Sequence, residues 1–371
     1  MRMITQVQRV RLPEEARLLM VSDLHGHGEG LLQLLQKVQF TAGDVLVIAG
    51  DLVDKGPKSL ETLRTVMRLC SEYTVYVLMG NVDLWRLERL MSENAECQQE
   101  LLHYSLRAQE AFGSCLLSEL CDAAEIPFCA EMDTQTAFPQ IRERCKTELD
   151  FLAGLPTILD TQNITFVHGG LPHENLDELE GTDCRPLLKW DHFWQDGLSF
   201  EKYVAVGHWP TALYQSEACH LPIIDRERHI ICMDGGCGLK ADGQLNLLVL
   251  PSPSSTDFQL YTWCPLSTII AQDAQAECPA SVYIHWGDHQ IMLLEQDQET
   301  AVILHHGRKL SVPAQLIYQS KGADCCDDYT DYRHAVAPGE RLKLVYETAQ
   351  GCYVKKNGRS GWYTGRYQKA E

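Results

Sequence analysis

Short, almost wholly apolar runs alternate with helix-spaced segments over the first 80 residues. The apolar runs 16–21, 44–50 and 73–79 each have the length and the Val, Leu and Ile content of a buried strand. Between them, residues 30–40 and 58–70 repeat apolar positions every three or four residues, which predicts two amphipathic helices. Strands that alternate with helices in this way predict an α/β fold with a parallel sheet.

The pattern changes beyond residue 84. Residues 84–155 are helix-spaced and rich in Glu, Gln and Cys, so we expect a helical insertion in the α/β domain. We expect this domain to span residues 1–250, with its last two strands forming a closing pair. The later apolar strand patterns lie at 163–171, 203–210, 229–236 and 244–250.

A third pattern occupies the C-terminal part of the chain. Prolines and serines crowd the stretch after residue 250, and we expect a linker over residues 251–281. From 282 to 371 the strands are short, alternate apolar with polar positions and are separated by turns such as Asn357-Gly358, which predicts a small all-β domain. This segment weakly resembles a bacterial SH3-type barrel. We therefore expect a β-barrel, whose partner the pattern does not identify.

Composition and charge narrow the classes of partner. The 371 residues carry a formal net charge of -19, which argues against binding a nucleic-acid backbone, because phosphate recognition needs clustered Lys and Arg. No apolar run approaches the ~20 residues of a membrane span, and the N-terminus lacks an uninterrupted apolar signal segment. The 15 cysteines are scattered without a C-x-x-C pair, which favours reduced thiols. We expect a cytoplasmic protein with no membrane partner.

Polar side chains follow five of the predicted strands, each beside a glycine. Because ligands of open α/β sheets bind beyond the carboxyl ends of the strands, we expect these side chains to line one crevice. Two carboxylates, one amide oxygen and three imidazoles suit manganese, iron, zinc or cobalt better than calcium. Six protein groups exceed what one open metal needs, so we predict two divalent transition metal ions, manganese foremost, bridged by Asp51. The six residues are Asp23, His25, Asp51, Asn81, His168 and His208.

The order of these motifs resembles that of the calcineurin-like metallophosphoesterases. The motifs are D-L-H-G at 23–26, G-D-L-V-D-K-G at 50–56, G-N-V-D at 80–83, H-G-G at 168–170 and G-H at 207–208. Within that family, the chain is most similar to the serine/threonine phosphoprotein phosphatases and the symmetrical dinucleoside-tetraphosphate hydrolases. The resemblance covers about residues 18–250 and does not extend to the all-β segment.

This resemblance implies a four-layer α/β-β/α sandwich and a dinuclear metal-dependent phosphoesterase. A hydroxide bridging the two ions would attack the phosphorus of a phosphomonoester, with a phosphoprotein as one candidate substrate. Phosphodiesters and dinucleoside polyphosphates are the alternatives. The implied ligands are Asp23, His25 and Asp51 for one ion, and Asp51, Asn81, His168 and His208 for the other.

Val82 departs from the resemblance, because the related enzymes carry a histidine here that protonates the leaving group. The acid that holds this histidine is present as Asp83, and His27 is a candidate replacement acid or else a surface residue at a helix start. We assign catalytic roles to Asp51, Asp83 and His27. Loss of general acid catalysis typically lowers a rate ~10²–10⁴-fold. The chain is therefore either a slower phosphoesterase that favours easily expelled leaving groups, or a regulatory protein that binds without useful turnover.

Basic side chains near the crevice are candidates for substrate contacts. Lys55 stands where the related enzymes more often carry arginine, and it is either a phosphate contact or a plain surface lysine. We expect Asn81 and His208 to contact the substrate as well. Arg185 and Lys189 are candidates for a second basic contact, and we expect Asp234, at the closing strand, to be structural.

Overall fold

Two compact units make up the chain, which a computed structural model describes over residues 4–278 and 282–370. The first unit comprises Met1–Thr211 and Pro222–Cys264. The second unit comprises Ala212–Leu221 and Pro265–Glu371. Each unit has its own sheets and its own apolar cores.

The first unit combines short buried strands with helices. Its strands are β1 (Val7–Arg9), β2 (Leu18–Val21), β3 (Val45–Ile48), β4 (Thr74–Val77), β5 (Ile158–Asp160), β6 (Ile164–Val167), β7 (Tyr203–Val206), β8 (Ile223–Asp225), β9 (Ile230–Cys232), β10 (Leu245–Leu250) and β11 (Gln259–Trp263). Its α-helices are α1 (Gly28–Lys37), α2 (Ser59–Glu72), α3 (Asn81–Leu90), α4 (Ala95–Phe112), α5 (Leu116–Ala123), α6 (Thr134–Arg144), α7 (Lys146–Ala153), α8 (Leu176–Leu179) and α9 (Arg185–Leu188).

These strands form two sheets. One sheet has the order β1-β5-β6-β7-β9-β8, and the other has the order β11-β10-β2-β3-β4. Strands β2, β3 and β4 run parallel to one another, as do β6, β7 and β9 in the other sheet. Helix α1 connects β2 to β3 and helix α2 connects β3 to β4, so the predicted α/β fold is confirmed.

Side chains of β2 alternate between two apolar cores. Leu18 and Met20 pack into the core shared by both sheets, whereas Leu19 and Val21 pack into the core shared with the helices. Burial on both faces explains why the strand reads as a continuous apolar run. Each fully buried side chain of this kind contributes about 1.5–3 kcal/mol. The strand end that carries Asp23 is therefore anchored from both sides.

Helices α3 to α7 occupy the predicted helical insertion between β4 and β5. Helix α4 begins after Asn94, whose side-chain oxygen accepts hydrogen bonds from the main-chain N–H groups of Glu96 and Cys97. It ends at Gly113, where φ is 79°. Buried residues of this layer share one core with α1 and α2, so the insertion is packed onto the α/β framework.

The described part of the second unit is all-β apart from short 3₁₀ turns. Its sheets have the orders β22-β21-β20-β12-β23, β14-β15-β16, β13-β19 and β17-β18. The all-β character is confirmed, while closure into an SH3-type barrel stays a prediction. The strands are β12 (Thr268–Ala271), β13 (Tyr283–Ile284), β14 (Met292–Gln296), β15 (Thr300–His305), β16 (Arg308–Pro313), β17 (Ile317–Ser320), β18 (Ala323–Cys326), β19 (Tyr329–Thr330), β20 (Arg341–Thr348), β21 (Gly351–Lys356), β22 (Arg359–Tyr363) and β23 (Tyr367–Lys369).

Regular structure is present in the interval 251–281, where we expected a linker. Strand β11 pairs antiparallel with β10 in the first unit. Strand β12 pairs with β20 and β23 in the second unit. These strands are only five and four residues long, and runs of that length carry little periodic signal in a sequence.

The cysteines form no disulfide. All 15 lie within the described residues, and nine of them are buried. Burial raises the pKa of the Cys121 and Cys326 thiols, each to about 12. Across residues 4–278 and 282–370, no helix combines the length and the hydropathy needed to cross a membrane.

Candidate metal centre

One half of the candidate centre lies at the ends of β2 and β3. His25 Nε2 is 3.6 Å from Asp51 Oδ2 and 3.8 Å from Asp23 Oδ1. One ligand atom from each residue lies within 4.8 Å of the other two, and all three side chains are buried. The three residues predicted to hold the first ion therefore face one another.

The other half collects residues from the ends of β3, β4, β6 and β7. His168 Nε2 is 3.4 Å from Asp51 Oδ1 and 3.0 Å from Asn81 Oδ1. His208 Nδ1 is 2.8 Å from the same amide oxygen. The Asp51 carboxylate thus has one oxygen facing His25 and the other facing His168, which is the position expected of a bridging ligand. All six predicted ligand residues are brought together.

Two of the imidazoles are oriented by main-chain carbonyl groups. The Nδ1 atom of His25 donates to the carbonyl of Val53 at 3.2 Å, and that of His168 donates to the carbonyl of Ala49 at 2.7 Å. A carbonyl oxygen only accepts hydrogen bonds, so Nδ1 carries a proton in both rings and Nε2 is the nitrogen that faces the centre. Metal-binding histidines are usually oriented by such an outer contact.

His208 has the opposite orientation and a carboxylate partner. Its Nε2 donates to Asp191 Oδ1 at 2.8 Å, so Nδ1 faces the centre. Its main-chain N–H also donates to Asp23 Oδ2 at 3.0 Å, which links the β7 loop to the β2 loop. Asp191 was not among the predicted residues. It precedes His192 in a segment with no strand-end pattern, and only the folded chain places it beside His208.

The convergent atoms fit a bound cation. With its Nε2 donating to Asp191, a neutral His208 directs the Nδ1 lone pair at the Asn81 amide oxygen, which is itself an acceptor. Acceptors that face one another without a shared proton repel unless a cation lies among them. The Asp23 Oδ1 atom is also buried without a hydrogen-bond partner, and such an atom is costly to leave unsatisfied. A divalent ion would satisfy both groups.

The pKa values of the buried side chains also indicate a site that favours a cation. Burial raises the pKa of Asp23 to about 6, and the neighbouring Asp51 adds to this rise. Burial and the Asp51 charge also raise the pKa of Asp83, to about 7. Burial opposes charge on His168, but Asp51 and Asp23 outweigh it and raise its pKa to about 10. The centre is therefore a region of buried negative potential that a cation would compensate.

Backbone strain is concentrated in the same loops. Asp23, His25, Asp51 and His208 have φ angles of 54°, 42°, 52° and 65°, which residues other than glycine adopt infrequently. Positions of this kind cost free energy and cluster at functional sites. Four of the six candidate ligands thus sit in a conformation that the surrounding packing must enforce.

Asp83 contacts the main chain rather than the crevice. One carboxylate oxygen accepts from the N–H groups of Leu52 and Val53, and the other accepts from Gly80. These bonds tie the β3 loop to the start of α3. Val82 is buried, and its N–H donates to Asp51 Oδ1 at 2.8 Å. The contacts of Asp83 are those of a positioning residue, and a direct catalytic role for it stays a prediction.

His27 lies at the start of α1, which was the alternative to its predicted catalytic role. Its Nδ1 bonds to the carbonyl of Leu24 at 3.2 Å, and its ring is 5.8 Å from that of Trp263. Burial lowers its pKa. The role of replacement acid stays a prediction, although these contacts are those of a packed helix-start residue.

Lys55 and Asp234 both influence the centre electrostatically. After burial, the Lys55 charge is the largest influence that lowers the pKa of His25, to about 3. A contact between Lys55 and a substrate phosphate stays a prediction. Asp234 is buried, its pKa is raised by burial and by Asp23, and its carboxylate accepts from the N–H of Gly236 at 2.7 Å. That turn-forming contact agrees with the expected structural role.

A pocket of about 410 Å³ adjoins the centre at Asn81. The Arg86 guanidinium lies 4.1 Å from the Tyr104 ring centroid, and the Arg89 guanidinium lies 3.9 Å from that of Trp85. Asp54 holds Arg86 in a buried ion pair at 2.5 Å. Sequence reasoning missed this pocket, although it did single out Arg185 and Lys189. Lining residues include Asn81, Trp85, Arg86, Arg89, Tyr104 and Lys189.

Comparison with known proteins places the first unit in a family. The model of the calcineurin-like phosphoesterase family matches residues 16–236. Symmetrical bis(5'-nucleosyl)-tetraphosphatases are 51% identical over 65 residues in Vibrio campbellii and 47% identical over 66 residues in Cronobacter sakazakii. These matches cover 17–18% of this chain, and only 23–24% of the length of those relatives.

Solved structures are similar over a longer part of the chain. The crystal structure of a putative diadenosine tetraphosphatase is 22% identical, covers 70% of this chain and 99% of that chain, and has a TM-score of 0.44. A protein serine/threonine phosphatase from Saccharomyces cerevisiae is 11% identical, covers 71% of this chain and 84% of that chain, and has a TM-score of 0.41. The family match alone spans more than half of the chain, from the strand that precedes Asp23 to the turn that follows Asp234. The chain therefore belongs to the calcineurin-like phosphoesterases, a family of metal-dependent hydrolases.

Proposed function

We propose that the first unit hydrolyses phosphoric esters and anhydrides with divalent metal ions, and that nucleoside polyphosphates, dinucleoside polyphosphates among them, are its preferred substrates. The observation that carries the proposal is the convergence of two carboxylates, three imidazoles and an amide oxygen on one buried centre. The choice of substrate class is supported by the adjoining pocket, by Val82 and by the local similarity to tetraphosphatases.

The candidate ligands divide into two groups that share Asp51. His25 faces Asp51 Oδ2 and lies beside Asp23, while His168 faces Asp51 Oδ1 and lies beside Asn81, which also contacts His208. When bound in such a site, divalent ions neutralise phosphoryl oxygens and lower the pKa of water. The mixed oxygen and nitrogen donors suit manganese, iron, zinc or cobalt.

The chain's own contacts keep this arrangement in place before substrate arrives. The His208 N–H holds Asp23, and the Val82 N–H holds Asp51. Asp83 fixes the loop after Asp51 through Leu52. Such preorganisation reduces the reorganisation needed during reaction, which is how electrostatic catalysis gains most of its effect. Lys55 adds a positive charge close to the centre, where a substrate phosphate would lie.

Val82 bears on the leaving group. A valine side chain cannot donate a proton, and this one is buried in the apolar core. The oxygen expelled from an alkyl ester needs protonation, whereas the phosphate expelled from an anhydride is stable as an anion. The lack of a proton donor at Val82 should therefore slow the hydrolysis of nucleoside polyphosphates less than that of alkyl phosphates. The local similarity of the tetraphosphatases agrees with this class of leaving group.

The pocket offers both parts of a nucleotide a place to bind. The Trp85 and Tyr104 rings, with centroids 5.2 Å apart, provide apolar surface for a base. Arg89 and Lys189 place positive charge along the same walls, while the charge of Arg86 is paired with Asp54. Because Asn81 belongs both to the pocket and to the centre, a base held there would leave its phosphates next to the metal ligands.

The test compares three substrates with manganese-loaded protein: a dinucleoside tetraphosphate, an aryl phosphomonoester and a bis-aryl phosphodiester. Asp51→Asn should abolish hydrolysis of all three. Trp85→Ala should lower kcat/KM for the dinucleotide ~5–150-fold, from the ~1–3 kcal/mol that stacking on one aromatic contributes. It should leave the small aryl phosphomonoester nearly unchanged. Trp286→Ala, an exposed tryptophan of the second unit, serves as the control.

Each other outcome assigns a different function. Faster turnover of the aryl monoester than of the dinucleotide, with no effect of Trp85→Ala, would identify a phosphomonoesterase, and phosphopeptides would be the next substrates to assay. Silence with all three substrates in metal-loaded protein would identify a binding protein. Val82 is the observation that favours this second candidate, because it removes the proton donor that the related enzymes use.

A further inference from the structure

A second cluster of metal-binding side chains lies in the second unit, outside the phosphoesterase site. Asp288, His305 and His306 each offer one ligand atom, and these atoms lie within 4.8 Å of one another. His306 Nε2 is 2.8 Å from Asp288 Oδ1 and 3.0 Å from Oδ2. His305 Nε2 is 3.3 Å from Asp288 Oδ1. Two imidazoles thus point their Nε2 atoms at one carboxylate.

Two tight turns create this cluster. His306 and Gly307 form the two-residue turn between β15 and β16, with φ angles of 45° and 75°. Asp288 follows a second turn, which is closed by a bridge to His285. Trp286 in that turn stacks on His289 at 4.9 Å between centroids and 7° between planes. Asp288 and His306 are therefore presented on short, constrained segments rather than on long loops.

Burial differs among the three residues, and one side of the cluster borders solvent. The His305 side chain is 3% exposed, and its ring lies 4.2 Å from that of His306. The Asp288 side chain is 42% exposed and that of His306 is 71% exposed. One ligand is thus fixed by packing, while the other two border solvent. An ion could enter from this open side and keep water at its remaining positions.

We propose that Asp288, His305 and His306 bind one divalent transition metal ion of the zinc type in the second unit. Two imidazole nitrogens and one carboxylate oxygen are the donor set that suits zinc, cobalt or nickel, and they disfavour calcium and magnesium, which prefer all-oxygen sites. The site takes its ligands from one unit only. It is independent of the phosphoesterase centre, whose ligands all belong to the first unit.

Hydrogen bonding alone is the competing explanation. His305 Nε2 is also 3.1 Å from the main-chain carbonyl of Asp288, a contact that an N–H group can make without any metal. In that case both rings carry their proton on Nε2 and donate to Asp288. Metal binding would require Nδ1 to carry the proton instead. If the cluster binds a metal ion, removing an imidazole should release that ion. If the cluster is held by hydrogen bonds alone, the same substitution should leave the metal content unchanged.

His306→Asn is the cleanest substitution. The turn at Asn357-Gly358 in the same unit has φ angles of 51° and 78°, so asparagine is accommodated at the first position of such a turn. The exchange therefore preserves the hairpin and removes the imidazole. Asp288→Asn removes the carboxylate charge on the other turn. His173→Ala, an exposed imidazole beside Glu178 in the first unit, is the control.

The full chain and its variants are dialysed against zinc in the presence of a weak chelator, and bound zinc is counted by elemental analysis. His306→Asn and Asp288→Asn should each lose one equivalent relative to the wild type and to His173→Ala. Both should keep the wild-type manganese-dependent phosphoesterase activity. Asp51→Asn combined with His306→Asn should lose the metal of both sites additively.

Thermal unfolding provides a second readout. Zinc should raise the unfolding midpoint of the second unit in the wild type and leave that of His306→Asn unchanged, because the ion stabilises only the folded state that binds it. Wild-type zinc content in both His306→Asn and Asp288→Asn would overturn the proposal. Those results would leave the phosphoesterase centre untouched, since that centre is tested by Asp51→Asn.

Discussion

Asp191→Ala tests whether the His208 imidazole is oriented for metal binding by its outer contact. His25 and His168 are held by main-chain carbonyl groups, which side-chain substitution does not remove. His208 is held by the Asp191 carboxylate at 2.8 Å, so its outer contact is open to mutation. Without that acceptor, the His208 ring is free to rotate and to place its proton on either nitrogen.

The expected magnitude follows from this geometry. Loss of an outer contact to a metal-binding histidine typically weakens metal affinity or activity ~10–100-fold, or about 1.4–2.7 kcal/mol at 25 °C. The Asp191 side chain is 42% exposed, so its removal should change the free energy of unfolding by no more than about 0.5 kcal/mol. A large change in metal affinity is therefore expected with little change in stability.

The assay is the manganese concentration that gives half-maximal hydrolysis, measured beside urea unfolding of the metal-free protein. Asp191→Ala should raise that concentration ~10–100-fold, and Asp191→Asn, which keeps an acceptor oxygen, should restore part of the affinity. Asp177→Ala, an exposed aspartate paired with Arg9, controls for loss of surface charge. An unchanged manganese requirement in Asp191→Ala would refute the orienting role.

Three further outcomes test other parts of the structure. Arg86→Met or Asp54→Asn alone should lower the free energy of unfolding by ~3–5 kcal/mol in urea, because each leaves a buried charge unpaired, and the double substitution should cost less than the sum; additive costs would contradict a shared ion pair. Val82→His should raise the ratio of alkyl to aryl phosphate hydrolysis, by up to the ~10²–10⁴-fold that general acids supply. An unchanged ratio would show that a histidine at position 82 does not protonate the leaving group. Burial lowers the pKa of His334 to about 4, so between pH 6.5 and pH 4 the unfolded state of the second unit binds a proton that the folded state does not, and the folded state should lose about 3 kcal/mol of stability over that range. His334→Gln should flatten this pH dependence in thermal unfolding, and an equal slope in both proteins would argue against it.

The ligand residues at the strand ends were predictable from the sequence, because each follows an apolar run that can be recognised without knowledge of the fold. A buried strand such as 45–48 is a continuous apolar run, and the residue that follows its end is fixed in position by the strand. Asp51, Asn81 and His168 could therefore be placed together without knowing any side-chain contact. The helix spacing between the strands supplied the parallel order.

Other features depended on contacts that no local pattern encodes. Asp191 is distant in sequence from the strand ends and meets His208 only through tertiary packing. The sequence gives no sign that Arg86 differs from an exposed helix residue, although the fold buries it against Asp54. Residues 259–263 form a strand because β10 offers an edge to pair with, not because their own periodicity is strong. Asp288 meets His306 through two separate turns, so their spacing of 18 residues carries no motif.

The glycines of the motifs explain why the ligand loops can approach so closely. A Cβ atom on Gly80 would lie 2.1 Å from the main-chain nitrogen of Asp51, and one on Gly207 would lie 2.2 Å from Asp23 Oδ2. No side chain fits at either position, because real Cβ atoms do not approach other heavy atoms within 3.0 Å. Each glycine belongs to one loop and makes room for a ligand of another loop. A glycine before Asn81 and before His208 is therefore a steric condition for bringing the two halves of the centre together. Because this condition fixes residue types in the sequence, motifs predict the ligands of the centre, whereas nothing of this kind marks the outer contacts such as Asp191.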